Sequence, residues 1–132
     1  MNLIFCLDDK NGILFNHRRQ SRDRVMIKDA LTLSGGRLFV TPFSEKIMKT
    51  YETPYTVVED PLSLGKEDWL FYEEGDPSFL FPLCQKIVVY RWNEVYPSDV
   101  CVSLASLRGG EEEEAMEGFS HKKITRHTYS PL

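Results

Sequence analysis

The chain has 132 residues, of which 42% are hydrophobic, and its 20 acidic and 16 basic side chains give a net charge of −4. This length supports one buried core, and the acidic balance excludes a nucleic-acid binder coated in lysine. No apolar run reaches the ~20 residues that cross a bilayer, and the N-terminus lacks a signal-peptide pattern, so we expect a cytoplasmic protein without a membrane partner.

The first elements are predicted to be a strand, a long loop and a helix. The run "NLIFCL" (2–7) is apolar without alternation, which is typical of a strand buried on both faces. Ser21 is the predicted cap of a helix whose apolar residues recur at three- and four-residue spacing and which ends before "SGG" (34–36).

Strands and short helices then alternate at an interval typical of parallel crossovers. Asp76 is the expected cap of a short helical segment with Pro77 at its first position. The predicted strands are 37–41, 55–59, 69–73, 86–92 and 99–104, and the predicted helical segments are 44–51, 60–67 and 76–84.

The end of the chain is expected to be different in character. The four glutamates from Glu111 to Glu114 repel one another, so 109–118 is predicted to be a solvated, flexible loop. The stretch 121–129 is predicted to form a final edge strand. The whole chain, 1–132, is interpreted as one domain.

The three cysteines, Cys6, Cys84 and Cys101, form an odd set without CxxC spacing. Each lies in or beside an apolar run, so all three are predicted to be buried thiols in a reducing compartment. A nucleophilic role is the alternative, but no electropositive setting is visible beside any of them.

The stretch "FNHRRQSRDR" (15–24) concentrates positive charge immediately before the first helix. Arginine at a helix N-terminus is electrostatically unfavourable, so an anionic ligand is the simplest reason for it. The predicted ligand-binding residues here are His17, Arg18, Arg19, Arg22 and Arg24.

A second basic cluster near the C-terminus adds His121 and Lys122 to the predicted binding residues. Two interpretations of the basic side chains stay open. They bind a phosphate-bearing or nucleotide-type anion, or they balance the 20 acidic side chains of the same protein. A catalytic role is a third alternative.

The order of elements resembles a shortened, diverged dihydrofolate reductase. The segments that carry this resemblance are "NLIFCLDDKNGILFN" (2–16) and "WLFYEEGDPSFLFPLCQKIVVYRWNEVYPSD" (69–99). It implies an α/β fold with a mostly parallel central sheet, antiparallel C-terminal strands and short flanking helices. It also places Asp23 near the family's substrate-binding carboxylate, as the one candidate catalytic residue.

The same resemblance implies that the family's NADPH contacts are lost. Glu74 and Gly75, preceded by Glu73, stand where the family presents a Gly-Gly pair to the cofactor's pyrophosphate, and a carboxylate there repels phosphate. Thr41–Ser44 replaces the family's "Gly-Arg-x-Thr", so its phosphate-binding arginine has no counterpart. No cofactor is therefore predicted, with NADPH as the alternative.

The chain is also similar to short bacterial proteins that share "FNHRRQSRDR" and "GxSHxKIT", some of which are labelled ribonuclease Z. That enzyme class needs an HxHxDH motif for two zinc ions, and the three histidines here lack that spacing, so no metal is predicted. The leading prediction is a non-catalytic module that binds a phosphate- or nucleotide-type anion. The alternatives are an NADPH-dependent reductase and an RNA-processing protein.

Overall fold

The computed structural model describes residues 1–132 and consists of ten strands, two α-helices and three 3-10 segments. The strands are β1 Asn2–Leu7, β2 Gly12–Phe15, β3 Arg18–Arg19, β4 Leu38–Val40, β5 Thr56–Val57, β6 Trp69–Phe71, β7 Lys86–Arg91, β8 Val100–Cys101, β9 Leu107–Met116 and β10 Ile124–Pro131. The helices are α1 Arg24–Leu33 and α2 Glu45–Thr50, and the 3-10 segments are Pro42–Ser44, Pro61–Ser63 and Pro77–Leu83.

Seven of the strands form one sheet in the order β5-β4-β6-β1-β7-β10-β9. The five strands from β5 to β7 are parallel, while β10 is antiparallel to both β7 and β9. The predicted fold class, a mostly parallel α/β sheet with antiparallel C-terminal strands and short helices, is confirmed.

Strand β1 lies in the middle of this sheet and is buried on both faces, as its apolar run predicted. Leu3 and Phe5 face one hydrophobic cluster, which also contains Leu80 and Phe81 of the third 3-10 segment. Ile4, between them in sequence, faces the second cluster, which contains the apolar side of α1. The alternation of side chains along a strand therefore divides the core into two layers.

The predicted long loop after β1 is wrong, because residues 12–19 form a hairpin of β2 and β3. Asn16 and His17, the two residues between the strands, have φ angles of 51° and 61°. Positive φ at both central residues is the mark of the type I′ turn, which fits the twist of a two-residue hairpin. With β8, this hairpin makes a second sheet of three strands, so the predicted strand at 99–104 is shorter than expected and lies outside the main sheet.

Helix α1 is capped by Asp23, and the prediction of Ser21 as the cap is wrong. The Asp23 carboxylate accepts a hydrogen bond from the Val25 backbone N–H at 2.9 Å. Asp76 caps its 3-10 segment in the predicted way, since its side chain accepts from the Ser78 N–H.

The prediction of a loop at 109–118 is also wrong, because this acidic stretch belongs to the edge strand β9. Its glutamates lie opposite basic residues of β10: Glu114 pairs with Arg126 and Glu112 with His127. The cross-strand ion pair here joins Arg126 Nε to Glu113 Oε2 at 3.5 Å, and a charged, bulged edge discourages pairing with another chain. Strand β10, predicted to be an edge strand, lies inside the sheet instead.

The cysteines do not share one environment. Cys84 is buried, and burial raises the pKa of its thiol to about 11. Cys6 is half-buried, whereas Cys101 is exposed, which corrects the expectation that all three are buried. None of the helices is long and apolar enough to span a membrane.

Candidate functional site

An open cleft of about 580 Å³ lies where the β2–β3 hairpin meets the segment that follows β4. Ligand sites of open α/β sheets are found at the carboxyl ends of parallel strands, and this cleft has that location. Positive charge dominates its lining. The lining residues are His17, Arg18, Arg19, Gln20, Ser21, Arg22, Phe43 and Lys46.

Arg19 is neutralised inside the protein. Its guanidinium group donates two hydrogen bonds to the carboxylate of Glu73, which follows β6, with Nε 2.9 Å from Oε1. Ser44 Oγ donates to the same carboxylate. Burial alone would lower the pKa of Arg19, but its hydrogen bonds to Glu73 and the negative charge of that residue outweigh burial and raise it.

Arg18, Arg22 and Lys46 are exposed and form no ion pair with any carboxylate of the chain. They line the same cleft as Arg19. The difference between the adjacent residues Arg18 and Arg19 arises from strand alternation, because Arg19 points toward Glu73 and Arg18 toward solvent. The cleft therefore carries three cations that the protein leaves unpaired.

Asp23 lies below the floor of the cleft and is 1% exposed. In addition to Val25, the backbone N–H groups of Phe119 and Ser120 donate to its carboxylate, both at 2.9 Å. Burial alone would raise the pKa of Asp23, but the hydrogen bonds from His121 and from these backbone groups hold it at about 2. Gly118 permits this contact, since a Cβ there would lie 2.7 Å from Asp23 Oδ2.

His121 connects Asp23 to the cleft. Its Nδ1 lies 2.8 Å from Asp23 Oδ2, and its Nε2 lies 2.8 Å from Ser21 Oγ. The imidazole is buried and stacks on Trp92, with 4.5 Å between the ring centroids. His121 therefore connects the C-terminal segment to Ser21 in the lining of the cleft.

A narrow inner pocket opens between Asp23 and Glu73, and its volume is only about 10 Å³. Such a space holds a single water molecule at most. The Asp23 carboxylate next to it already accepts four hydrogen bonds within 3 Å from its own chain. These contacts support a structural role for Asp23 over a role in holding a substrate ring.

The structure brings some of the predicted binding residues together and separates others. His17, Arg18, Arg19 and Arg22 line the basic cleft, but His121 is buried below it. Arg24 lies elsewhere, with its guanidinium carbon 4.2 Å from the centroid of the Phe119 ring, and Lys122 is exposed outside the cleft. Their role in binding stays a prediction.

Sequence reasoning missed Phe43, Lys46 and the partner of Arg19. A usable signal existed for Phe43 and Lys46, because the segment after a parallel strand starts at the ligand-binding edge of the sheet. The Arg19–Glu73 pair joins residues 54 positions apart, and neither side chain identifies the other in the sequence.

The fold is that of dihydrofolate reductases. Among solved structures, the chain is similar to a dihydrofolate reductase from Enterococcus faecalis complexed with NADP(H) and RAB-propyl. The TM-score is 0.65 at 11% sequence identity, over 98% of this chain and 95% of that one. No protein-family model and no curated protein matches the sequence. The resemblance to proteins labelled ribonuclease Z stays a prediction.

The residues after β6 do not fit the pyrophosphate of a dinucleotide. Glu73 is buried there with its carboxylate held by Arg19 and Ser44, and Glu74 adds a second negative charge. The N-terminus of the following 3-10 segment, at Pro77, is already occupied by the Asp76 side chain. A phosphate at this position would meet carboxylates where it needs N–H donors.

Proposed function

We propose that the protein binds a small phosphate-bearing anion in the basic cleft. The observation that carries this proposal is that Arg18, Arg22 and Lys46 line one open cleft without a carboxylate partner. Guanidinium groups bind phosphate oxygens through paired N–H donors, and two of them with an ammonium group match the charge of a phosphate.

The Arg19–Glu73 pair fixes one side of this site. Glu73 accepts hydrogen bonds both from Arg19 and from Ser44, so it joins the second strand of the hairpin to the segment that carries Phe43 and Lys46. Binding then requires little ordering of the backbone, which reduces its entropic cost.

Phe43 gives the cleft one apolar surface, with the Arg19 guanidinium 5.6 Å from its ring centroid. A planar group on the ligand could pack there, which favours a nucleotide-type anion over free phosphate.

The test is calorimetric titration with pyrophosphate and with AMP, at constant ionic strength. We expect binding that weakens at least about tenfold in the Arg18→Ala/Arg22→Ala variant, because two charge-assisted contacts are lost. The matched control is Arg37→Ala/Arg108→Ala, which removes the same charge from exposed positions outside the cleft and should leave affinity nearly unchanged. Equal affinity in all three proteins would contradict the proposal.

The alternatives from the sequence analysis predict different results with the same proteins. An RNA-processing role requires oligoribonucleotide binding that falls steeply with salt, since many phosphates release counterions. A reductase requires stabilisation by NADPH that survives loss of Arg18 and Arg22. If the protein binds oligoribonucleotide or NADPH in this way but binds neither AMP nor pyrophosphate, the corresponding alternative replaces the proposed function.

A further inference from the structure

Ser21, His121 and Asp23 form a continuous chain of hydrogen bonds, with 2.8 Å from Ser21 Oγ to His121 Nε2 and 2.8 Å from His121 Nδ1 to Asp23 Oδ2. An ionised carboxylate only accepts hydrogen bonds, so Nδ1 carries the ring proton toward Asp23. Nε2 of the neutral ring is then the acceptor for the Ser21 hydroxyl. This order of nucleophile, base and orienting carboxylate is the geometry of a serine hydrolase triad.

We propose that Ser21 is a catalytic nucleophile for the hydrolysis of carboxylic esters, with His121 as its general base and Asp23 as a positioning residue. This inference departs from the prediction of a non-catalytic protein. It is an activity in addition to anion binding at the neighbouring cleft.

The proposed reaction has two balanced steps. Ser21 Oγ bonds to the ester carbonyl carbon while its proton passes to His121 Nε2, and the bond to the leaving oxygen breaks as that oxygen takes the proton. Water then attacks the acyl-serine, His121 again receives and returns a proton, and the acid leaves with Ser21 restored. Ester and water give acid and alcohol, with no other reactant.

The surroundings of Ser21 provide access. Ser21 is half-buried and lines both the basic cleft, which is open to solvent, and the inner pocket. The backbone N–H groups of Ser21 and Arg22 donate to no acceptor in the chain, and free N–H donors of this kind are what stabilises an oxyanion in acyl transfer.

The surroundings of His121 keep it in place. Trp92 stacks on one side of the ring, and the edge of Tyr96 faces it. Asp23 is itself fixed by three backbone N–H groups, so the acceptor for Nδ1 has one position. A preorganised base of this kind supplies about 10²–10⁴ in rate.

The cleft defines the substrate class, and this part rests on the proposed function. Ser21 lies in the same lining as Arg18 and Arg22, so an ester that also carries a phosphate would place its anionic end among the arginines. We therefore expect phosphate-bearing carboxylic esters to be hydrolysed faster than neutral ones.

The test uses a neutral alkyl fluorophosphonate, which bonds to an activated serine with loss of fluoride and a proton. We expect mass spectrometry of the intact protein and its peptides to find one adduct, on Ser21. Ser21→Ala should abolish it, and His121→Gln should slow it at least about 100-fold. Ser63→Ala is the matched control, because Ser63 is an exposed serine outside the cleft that has no histidine partner, so its loss should not affect labelling.

The Asp23→Asn variant separates positioning from a merely structural role of Asp23. The groups that face His121 are Asp23, Ser21, Tyr96 and Glu94, whose Oε2 is 4.0 Å from Nε2. Asparagine also caps helices, but its side-chain amide donates hydrogen bonds as well as accepting them, so it no longer fixes the ring proton on Nδ1. Labelling of Ser21 should therefore slow at least about 100-fold in Asp23→Asn although the variant keeps the fold, and unchanged labelling would show that Asp23 is only structural.

Absence of a Ser21 adduct in the folded wild type, or equal labelling in His121→Gln, would overturn the triad. Because the probe carries no charge, its result does not depend on the basic cleft. Labelling of Ser21 without pyrophosphate binding would support the triad and contradict the proposed function. Pyrophosphate binding without labelling would contradict the triad and support the proposed function.

Discussion

The basic cleft and the Asp23 region lie side by side, but their charged groups differ in whether the protein supplies a partner for them. In the cleft, Arg18 and Arg22 are exposed cations without a carboxylate partner. The Asp23 carboxylate, by contrast, is buried and bonded to three backbone N–H groups and to His121. The difference indicates that charged groups with protein partners stabilise this fold, whereas charged groups without such partners are available to a ligand.

The largest loss of stability should come from removing the Asp23 carboxylate. Asp23→Ala loses the cap of α1 and leaves the Phe119 and Ser120 N–H groups without their acceptor. We expect a loss of about 3 kcal/mol in the free energy of unfolding, measured with urea. Asp23→Asn, which keeps an acceptor for the cap, should lose clearly less. A loss below about 1 kcal/mol for alanine would show that the network is dispensable.

A somewhat smaller effect is expected from Arg19, with its sequence neighbour as the control. Arg19→Ala leaves the Glu73 carboxylate buried without its cation, which should cost about 2 kcal/mol because part of Arg19 is exposed. Arg18→Ala removes the same side chain from an unpaired position and should change stability by less than about 0.5 kcal/mol. Equal losses for the two variants in urea unfolding would contradict the conclusion that Arg19 is paired and Arg18 is not.

Acid should lower the free energy of unfolding as Asp23 becomes protonated, by less than either the Asp23→Ala or the Arg19→Ala substitution does. The pKa of Asp23 is about 2 in the folded protein and about 3.9 in an unfolded chain. Its ionised form therefore stabilises the fold fully above about pH 4, and this contribution is lost as the pH falls toward 2. Urea midpoints across this range should decline less in Asp23→Asn, and parallel curves would contradict the assignment.

Much of the fold was predictable from local patterns. The unbroken apolar run of β1 indicated a central strand, and the alternation of strands with short helices indicated parallel crossovers. The acidic stretch was misjudged because it pairs with β10, where Arg126 lies within ion-pair distance of Glu113. Such pairing between distant segments leaves no signal within the acidic stretch itself.

The candidate site was predictable in composition but not in arrangement. The density of arginine around Arg18 and Arg22 pointed to the cleft, and both residues line it. The type I′ turn that aims them depends on positive φ at Asn16 and His17, and the Asn-His pair is a weaker signal for this turn than Asn-Gly. The meeting of Ser21 with His121, 100 positions later, comes from the sheet topology alone.

The most direct measurement of the central claim is a pyrophosphate titration followed by NMR of the arginine side-chain Nε–H groups. We expect the signals of Arg18 and Arg22 to move progressively to saturation, while the Arg19 signal, bonded to Glu73, and that of exposed Arg37 stay nearly unchanged. Equal movement of all four signals, or movement of none, would contradict a cleft that binds anions through its unpaired arginines.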